Sequence, residues 1–123
     1  MGIGFTRVTP VLRILSVEKA KEFYIDWLGF KIEFEARFGE NFPLYMGVSR
    51  GDLSIHLSEH YGDAIPGAAV RILTNGLDEF LQELKAKDYR YYKPDIHETD
   101  WGTREMGLLD PFGNHLHFFE EKK

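Results

Sequence analysis

Two histidines occupy matching places in two similar stretches of this chain. Ser54-Ile55-His56-Leu57-Ser58-Glu59 is echoed by His115-Leu116-His117-Phe118-Phe119-Glu120, so that His117 stands where His56 stands. An imidazole pair can ligate a divalent ion or line a cleft as hydrogen-bonding groups. Two histidines alone make a weak metal site, because catalytic centres usually draw three or more ligands from protein. Glu105 or a second chain would have to supply the third. Cysteine is absent, which excludes disulfides, thiolate catalysis and cysteine metal sites. Two rings lie outside any periodic core pattern. Trp101 sits between Asp100 and Gly102, where an indole could stack on a planar ligand, seal a contact between chains, or fold back over a sheet edge. Phe38, in Ala36-Arg37-Phe38-Gly39-Glu40-Asn41-Phe42, reads equally as a stacking ring or a loop anchor. His97 stands between Asp95 and Asp100, a loop arrangement too common by chance to carry an acid–base claim. Glu35, Glu40, Asp95 and Glu98 lie near these rings in sequence and could face a cationic ligand tail. No Gly-x-Ser-x-Gly, phosphate loop or dinucleotide fingerprint occurs.

The elements that must position these residues come in two copies. Leu12-Arg13-Ile14-Leu15-Ser16 returns as Val70-Arg71-Ile72-Leu73-Thr74, and each copy leads into an amphipathic helix. In the first half, Val8 to Leu15 reads as a strand, with Pro10 favouring an edge position or a point where no ladder donor is needed. Ser16 caps a helix whose stripe is Val17, Ala20, Phe23, Tyr24, Trp27 and Leu28, closed by Gly29. Phe30 to Glu35 alternates, placing Phe30, Ile32 and Phe34 on one face. Leu44 to Ser49 and Leu53 to Ser58 follow, joined at Arg50-Gly51-Asp52. His60 to Gly67 is the linker. The second half restarts with Ala68 to Leu73. Its helix is capped by Thr74 or Asn75, carries Leu77, Phe80, Leu81 and Leu84, and has acidic residues at its start and lysines at its end. Tyr89 to Lys93, Arg104 to Leu109 and His115 to Phe119 read as strands, with Asp110-Pro111-Phe112-Gly113-Asn114 as a turn. The chain is thus expected to be one domain over residues 1–123, built from a βαβββ module at 5–60 and another at 67–120. Strand alternation places Ser54, His56 and Ser58 opposite Leu53, Ile55 and Leu57, and His115 and His117 opposite Leu116 and Phe118. Helices must cover the aliphatic faces, which leaves the histidine faces to form an open cup. Arg13 and Arg71 are equivalent in the repeat and could anchor an anionic ligand, but pairing with carboxylates at its floor is the expectation.

The length suits one domain of common size, and each half alone would be marginal. A net charge of −5 argues against nucleic acid, which demands clustered Lys and Arg, and is compatible with a cationic small molecule. No apolar run is long enough to span a bilayer, and no secretory apolar region precedes the first strand. A cytoplasmic location is the expectation, without a membrane or nucleic-acid partner. Met1-Gly2-Ile3-Gly4-Phe5-Thr6 fits a myristoylation pattern formally, but the first strand is expected from about Phe5, and the match is treated as coincidence.

Pro10-Val11-Leu12, Phe23-Tyr24 and Leu28-Gly29-Phe30 resemble the first module of the vicinal-oxygen-chelate superfamily. That group includes glyoxalase I, extradiol dioxygenases, fosfomycin resistance enzymes and bleomycin resistance proteins. Gly76-Leu77-Asp78-Glu79, Trp101-Gly102-Thr103-Arg104-Glu105 and Leu109-Asp110-Pro111-Phe112-Gly113-Asn114 look most like the bleomycin resistance branch. The resemblance implies an α+β fold of paired βαβββ modules with a curved, cup-like sheet, assembled as a homodimer with clefts between subunits. It implies sequestration of a cationic glycopeptide antibiotic without catalysis, with Phe38 and Trp101 flanking the drug's flat ring system and His56 and His117 lining the cleft. The superfamily's four metal-ligand positions fall on Thr9, His56, Ala69 (or Ala68) and His117. Two of these are not ligands, so no cofactor is expected and the balance leans away from an enzyme. Two alternatives stand beside this expectation. One is a metal-dependent lyase or dioxygenase of the glyoxalase type, using a divalent ion on His56 and His117. The other is a diverged metabolite-binding module.

Overall fold

The structure, a computed structural model, describes residues 2–122. Ser16 is extended and its side chain accepts a hydrogen bond from the Lys19 amide at 3.2 Å, starting α1 (Val17–Ala20). The helix widens at once into a π-helical stretch, Lys21–Trp27, that buries Phe23, Tyr24 and Trp27 on one side. Gly29 takes the left-handed φ of 76° that ends it. Around this helix β1 (Val11–Arg13), β2 (Lys31–Ala36), β3 (Tyr45–Arg50) and β4 (Leu53–Ser58) form a sheet in the order β1-β4-β3-β2. The second half repeats the plan. Its strands β5 (Ala69–Leu73), β6 (His97–Glu98), β7 (Thr103–Leu109) and β8 (His115–Glu121) are ordered β5-β8-β7-β6, with α2 (Leu77–Lys87) in the crossover. In each sheet the first and last strands of the unit run parallel and the rest antiparallel.

The aliphatic faces meet the helices in one core. Leu12, Met46, Val48, Ile55, Leu57, Met106, Leu108, Leu116 and Phe118 are buried there with Phe23, Tyr24, Trp27 and Leu84. Polar contacts lock the halves together. The Trp27 indole donates to the Leu84 carbonyl at 3.1 Å, and the ring stacks on Tyr89 with centroids 4.6 Å apart. Arg50 grips Glu83 of α2 through two hydrogen bonds. The Tyr24 hydroxyl donates to Asp110 at 2.7 Å, inside the turn before β8. The faces bearing His56 and His117 lie away from this core, as the alternation predicts.

Four local expectations are corrected. The first strand begins at Val11 and not near Phe5 or Val8: residues 2–10 form no strand, and Ile3, Phe5 and Val8 are exposed. Proline lacks a ladder donor, and the Pro10 carbonyl accepts the His56 amide at the edge of the sheet. The helix α2 is not capped by Thr74 or Asn75. Left-handed Gly76 stands at the cap position without a side-chain bond, while the Thr74 hydroxyl donates back to the Ile72 carbonyl. Tyr89 to Lys93 is not a strand. Tyr89 is drawn onto Trp27, and the Tyr92 hydroxyl donates to the Gly107 carbonyl. The edge strand is instead the short β6, in the stretch around His97 that the sequence reads as a loop.

The fourth correction concerns Phe34. Ile32 pairs with Val48, but Phe34 pairs with Gly47, so Glu33 is an extra residue in a β-bulge. The bulge reverses the alternation downstream. Phe30 stays in the core, whereas Phe34 turns onto the open face. There its ring occupies the space above Gly47, where an added Cβ would clash with the Phe34 ring. Gly47→Ala should therefore swing Phe34 off the sheet at a cost of about 1 kcal/mol. A modest fall in melting temperature with altered His56 ring-current shifts would report it; unchanged shifts would show that the ring does not move.

Candidate functional site

Each open face carries its own cluster. On the first sheet Gly47 pairs with His56 and with Phe34, and the Phe34, His56 and Tyr45 rings meet one another there. Phe34 meets the His56 ring edge-on at 5.2 Å and stacks beside Tyr45 at 6.2 Å. The Tyr45 hydroxyl and His56 Nδ1 are 2.7 Å apart. Burial, helped by the Asp63 charge, raises the Tyr45 pKa, so the hydroxyl stays protonated. The linker folds back on this sheet: the Ser58 hydroxyl donates to Asp63 at 2.6 Å. Phe38 projects from the loop after β2, is 88% exposed, and touches the His60 ring edge-on at 5.7 Å. A recess of about 340 Å3 lies between Phe38, Tyr45, His60 and Asp63.

The second cluster is built around a buried carboxylate. Thr103 and Glu105 alternate onto the open face of β7, opposite the second strand residue of the motif, Arg104. Arg104 faces the other way, to Asp78 and Glu120. Glu105 is only 4% exposed. Arg71 on β5 reaches it with two hydrogen bonds, 3.1 and 2.8 Å, and stacks its guanidinium over Phe119 at 4.4 Å. The Thr103 hydroxyl donates to Glu105 at 2.8 Å and the Trp101 indole at 3.3 Å. Trp101 itself is 70% exposed. It is neither folded into the core nor loose.

Arg71 first, then the Thr103 and Trp101 donors, hold the Glu105 carboxyl down to about 2 from its ordinary 4.5, against the opposing effect of burial. A carboxylate whose folded pKa is depressed adds stability in full above its unfolded pKa. That stability is lost as pH falls toward the folded value. The stability gap between the native chain and Glu105→Gln should thus be constant from about pH 8 to 5 and shrink from about 4.5 toward 2. Urea unfolding across that range measures it, and a gap that persists at the acid end would refute the assignment.

Of the residues singled out from sequence, Phe38 and Trp101 are both exposed, but on different modules. Among the described residues no hydrogen bond or ring contact joins their surroundings. His56 and His117 also lie on separate sheets. His117 stacks on His115 at 5.9 Å, its register neighbours being Arg71 and Gly107. Thr9 lies just before β1, and Ala69 pairs with His115. Among the described residues no three His, Asp or Glu side chains converge as a metal group, and Glu105 is engaged by Arg71. The rim carboxylates have partners: Glu35 pairs with Lys21, Glu98 with Lys122, and Asp95 accepts the Ile96 amide, while Glu40 is exposed. Exposed His97 pairs with Glu105 across the β6–β7 ladder. Arg71 pairs with a carboxylate as expected, whereas Arg13 donates, among the described residues, to the Ile14 and Tyr61 carbonyls. Phe34 and Tyr45 escaped the sequence reading. The available signal was Gly47, since glycine inside a strand marks a bulge or a close approach.

Another recess, of about 560 Å3, lies elsewhere, between the Arg50–Leu53 turn and the start of α2. The ion pair of Arg50 with Glu83 occupies its wall, with Arg50 lying over the half-buried Phe80 ring, and no histidine lines it. The two open-face clusters are the better candidates, because each sets a largely exposed ring, Phe38 or Trp101, beside histidines or a fixed carboxylate.

The family model described as "Glyoxalase superfamily protein" matches residues 1–123. A bleomycin resistance protein of Geobacillus stearothermophilus is 25% identical, over 93% of this chain and 96% of its own length. Among solved structures, a bleomycin-binding protein from bleomycin-producing Streptomyces verticillus, complexed with copper(II)-bleomycin, is 30% identical with a TM-score of 0.71. That match covers 95% of this chain and 97% of the other. A second bleomycin-binding protein, complexed with bleomycin, is 26% identical with a TM-score of 0.67, over 96% and 100% of the two chains.

Proposed function

The chain belongs to the glyoxalase superfamily, and we propose that it binds and sequesters a bleomycin-type glycopeptide antibiotic, without catalysis, in a cleft between two copies of itself. The observation that carries this reading is Trp101: an indole left in solvent yet tethered by its own N–H to a buried carboxylate. An exposed tryptophan gains nothing from burial in the folded chain, and a fixed one suits stacking on a planar ring. Phe38 serves as the opposing ring, contributed by the second copy, and His56 and His117 line the cleft as hydrogen-bonding groups. Phe34, Leu73, Leu109, Ile3, Phe5 and Val8 give a single chain much exposed apolar surface, which supports a twofold partner. The net charge of −5 suits a cationic ligand. The relatives that bind bleomycin add support by their likeness over nearly whole lengths. On this reading the chain is one two-module domain that works in the cytoplasm, with no resident metal.

The test is titration of metal-free protein with bleomycin, following tryptophan emission. Trp27 is buried and hydrogen-bonded, so it supplies a constant background against which Trp101 reports. Saturable quenching at one drug per protomer, with a dimer in sedimentation, is the expected result. A flat titration overturns the antibiotic reading and moves attention to metal analysis and the glyoxalase-type alternative.

A further inference from the structure

The geometry points to Glu105 as the positioning residue of the site: its buried carboxylate sets the plane of the Trp101 ring. The turn that carries Trp101 would not do this alone. Thr99 and Thr103 close it, with the Thr99 amide donating to the Thr103 carbonyl at 2.9 Å and their hydroxyls 2.7 Å apart. Gly102, at φ 90°, lets the chain reverse and leaves the indole outside the closure. Past that glycine the only hydrogen bond that reaches the Trp101 side chain among the described residues is its own N–H to Glu105 Oε2, four positions on. With 70% of the residue in solvent, packing does little to choose its rotamer.

Glu105, in contrast, is over-determined. It is buried, and Arg71 holds both of its oxygens while Thr103 holds one. The Arg71 guanidinium is itself seated over the Phe119 ring. The tether therefore runs from a rigid anchor on the sheet to the exposed indole that it holds. A ring fixed before binding spares the ligand the cost of ordering it. The spacing Trp101-Gly102-Thr103-x-Glu105 follows from this arrangement: glycine reverses the chain, and Thr103 and Glu105 then fall on the same face of β7.

The affinity consequence rests on the antibiotic reading; the tether itself does not, and two measurements keep them apart. In nitrogen-15 labelled protein two indole N–H signals are expected, from Trp27 and Trp101, and loss of one in Trp101→Ala assigns them. In Glu105→Gln the Trp101 signal should move upfield and exchange faster with water, while the Trp27 signal stays as a control for the fold. Bleomycin affinity should fall about tenfold. In a Trp101→Phe background, which lacks the N–H, Glu105→Gln should have no further effect on affinity. An unmoved Trp101 signal overturns the proposal. So does an equal loss of affinity in the Trp101→Phe background, because Glu105 would then act by another route. If no variant binds bleomycin, the antibiotic reading fails and the indole signal alone decides the tether, for or against.

Discussion

Trp101→Ala should lower bleomycin affinity by about a hundredfold, roughly 2.7 kcal/mol, and leave the fold intact. Truncating a central aromatic anchor is the interface change with the largest usual cost, and Trp101 is the exposed member of the two tryptophans. Its own folding contribution is small. Among the described residues only the 3.3 Å bond to Glu105 ties it to the sheet. Arg71 and Thr103 still hold that carboxylate when the indole is removed, so the loss is that of one ordinary hydrogen bond, about 1 kcal/mol. Binding and stability therefore separate in this variant. Fluorescence cannot follow a protein that has lost its reporter, so calorimetric titration is the measurement. An unchanged affinity would place the drug away from the second sheet. Phe38→Ala should cost less, because the Phe38 ring has one edge contact, to His60, to hold its orientation.

Asp110→Ala should be the most damaging single change to stability, about 4 kcal/mol, or some 15 °C in melting temperature for a domain of this size. Asp110 is buried and accepts four hydrogen bonds. The Phe112 and Asn114 amides meet one oxygen, and the Tyr24 hydroxyl and the Asn114 side-chain amide meet the other. Asn114 passes the connection on. Its side-chain oxygen accepts the Gly67 and Ala68 amides, and its nitrogen donates to the Arg13 carbonyl. One carboxylate thus ties the helix of the first module, the linker, β1 and the turn before β8. Removing it strands a buried Tyr24 hydroxyl, whose ionisation burial and the Asp110 charge already oppose. Stranded buried donors cost far more than the average hydrogen bond. Asp110→Asn keeps one acceptor oxygen and should recover part of the loss. If thermal unfolding of Asp110→Ala matches the native chain, the network is incidental to stability.

Much of this structure was legible before any coordinates. The echo of Leu12–Ser16 in Val70–Thr74 announces two modules, and the sheets follow one order twice. Ser16 as a cap, Gly29 as a helix stop and the edge position of β1 are local matters of backbone chemistry, and local chemistry is written in consecutive residues. The alternation Ser54-Ile55-His56-Leu57 assigns His56 to the open face without reference to any other strand. What escaped depended on partners distant in sequence. Tyr89 to Lys93 has the composition of a strand, but Trp27 and the Gly107 carbonyl compete for its tyrosines and win. Thr74 has the chemistry of a cap, but the Ile72 carbonyl takes its hydroxyl.

Sequence by itself determined the two-module plan, the helix stripes, the absence of thiol chemistry and the open faces that carry the histidines, because periodicity and turn chemistry act over a few residues. Tertiary structure decided which rings stand on those faces and which polar groups hold them. One inserted residue, Glu33, reversed the parity of β2 and carried Phe34 from the expected core face onto His56. Arg71 and Glu105 are 34 residues apart in the chain, and only the β5-β8-β7 order brings them together beneath Trp101. Strand parity and strand order are properties of pairing between segments, and a pattern read along one segment does not contain them.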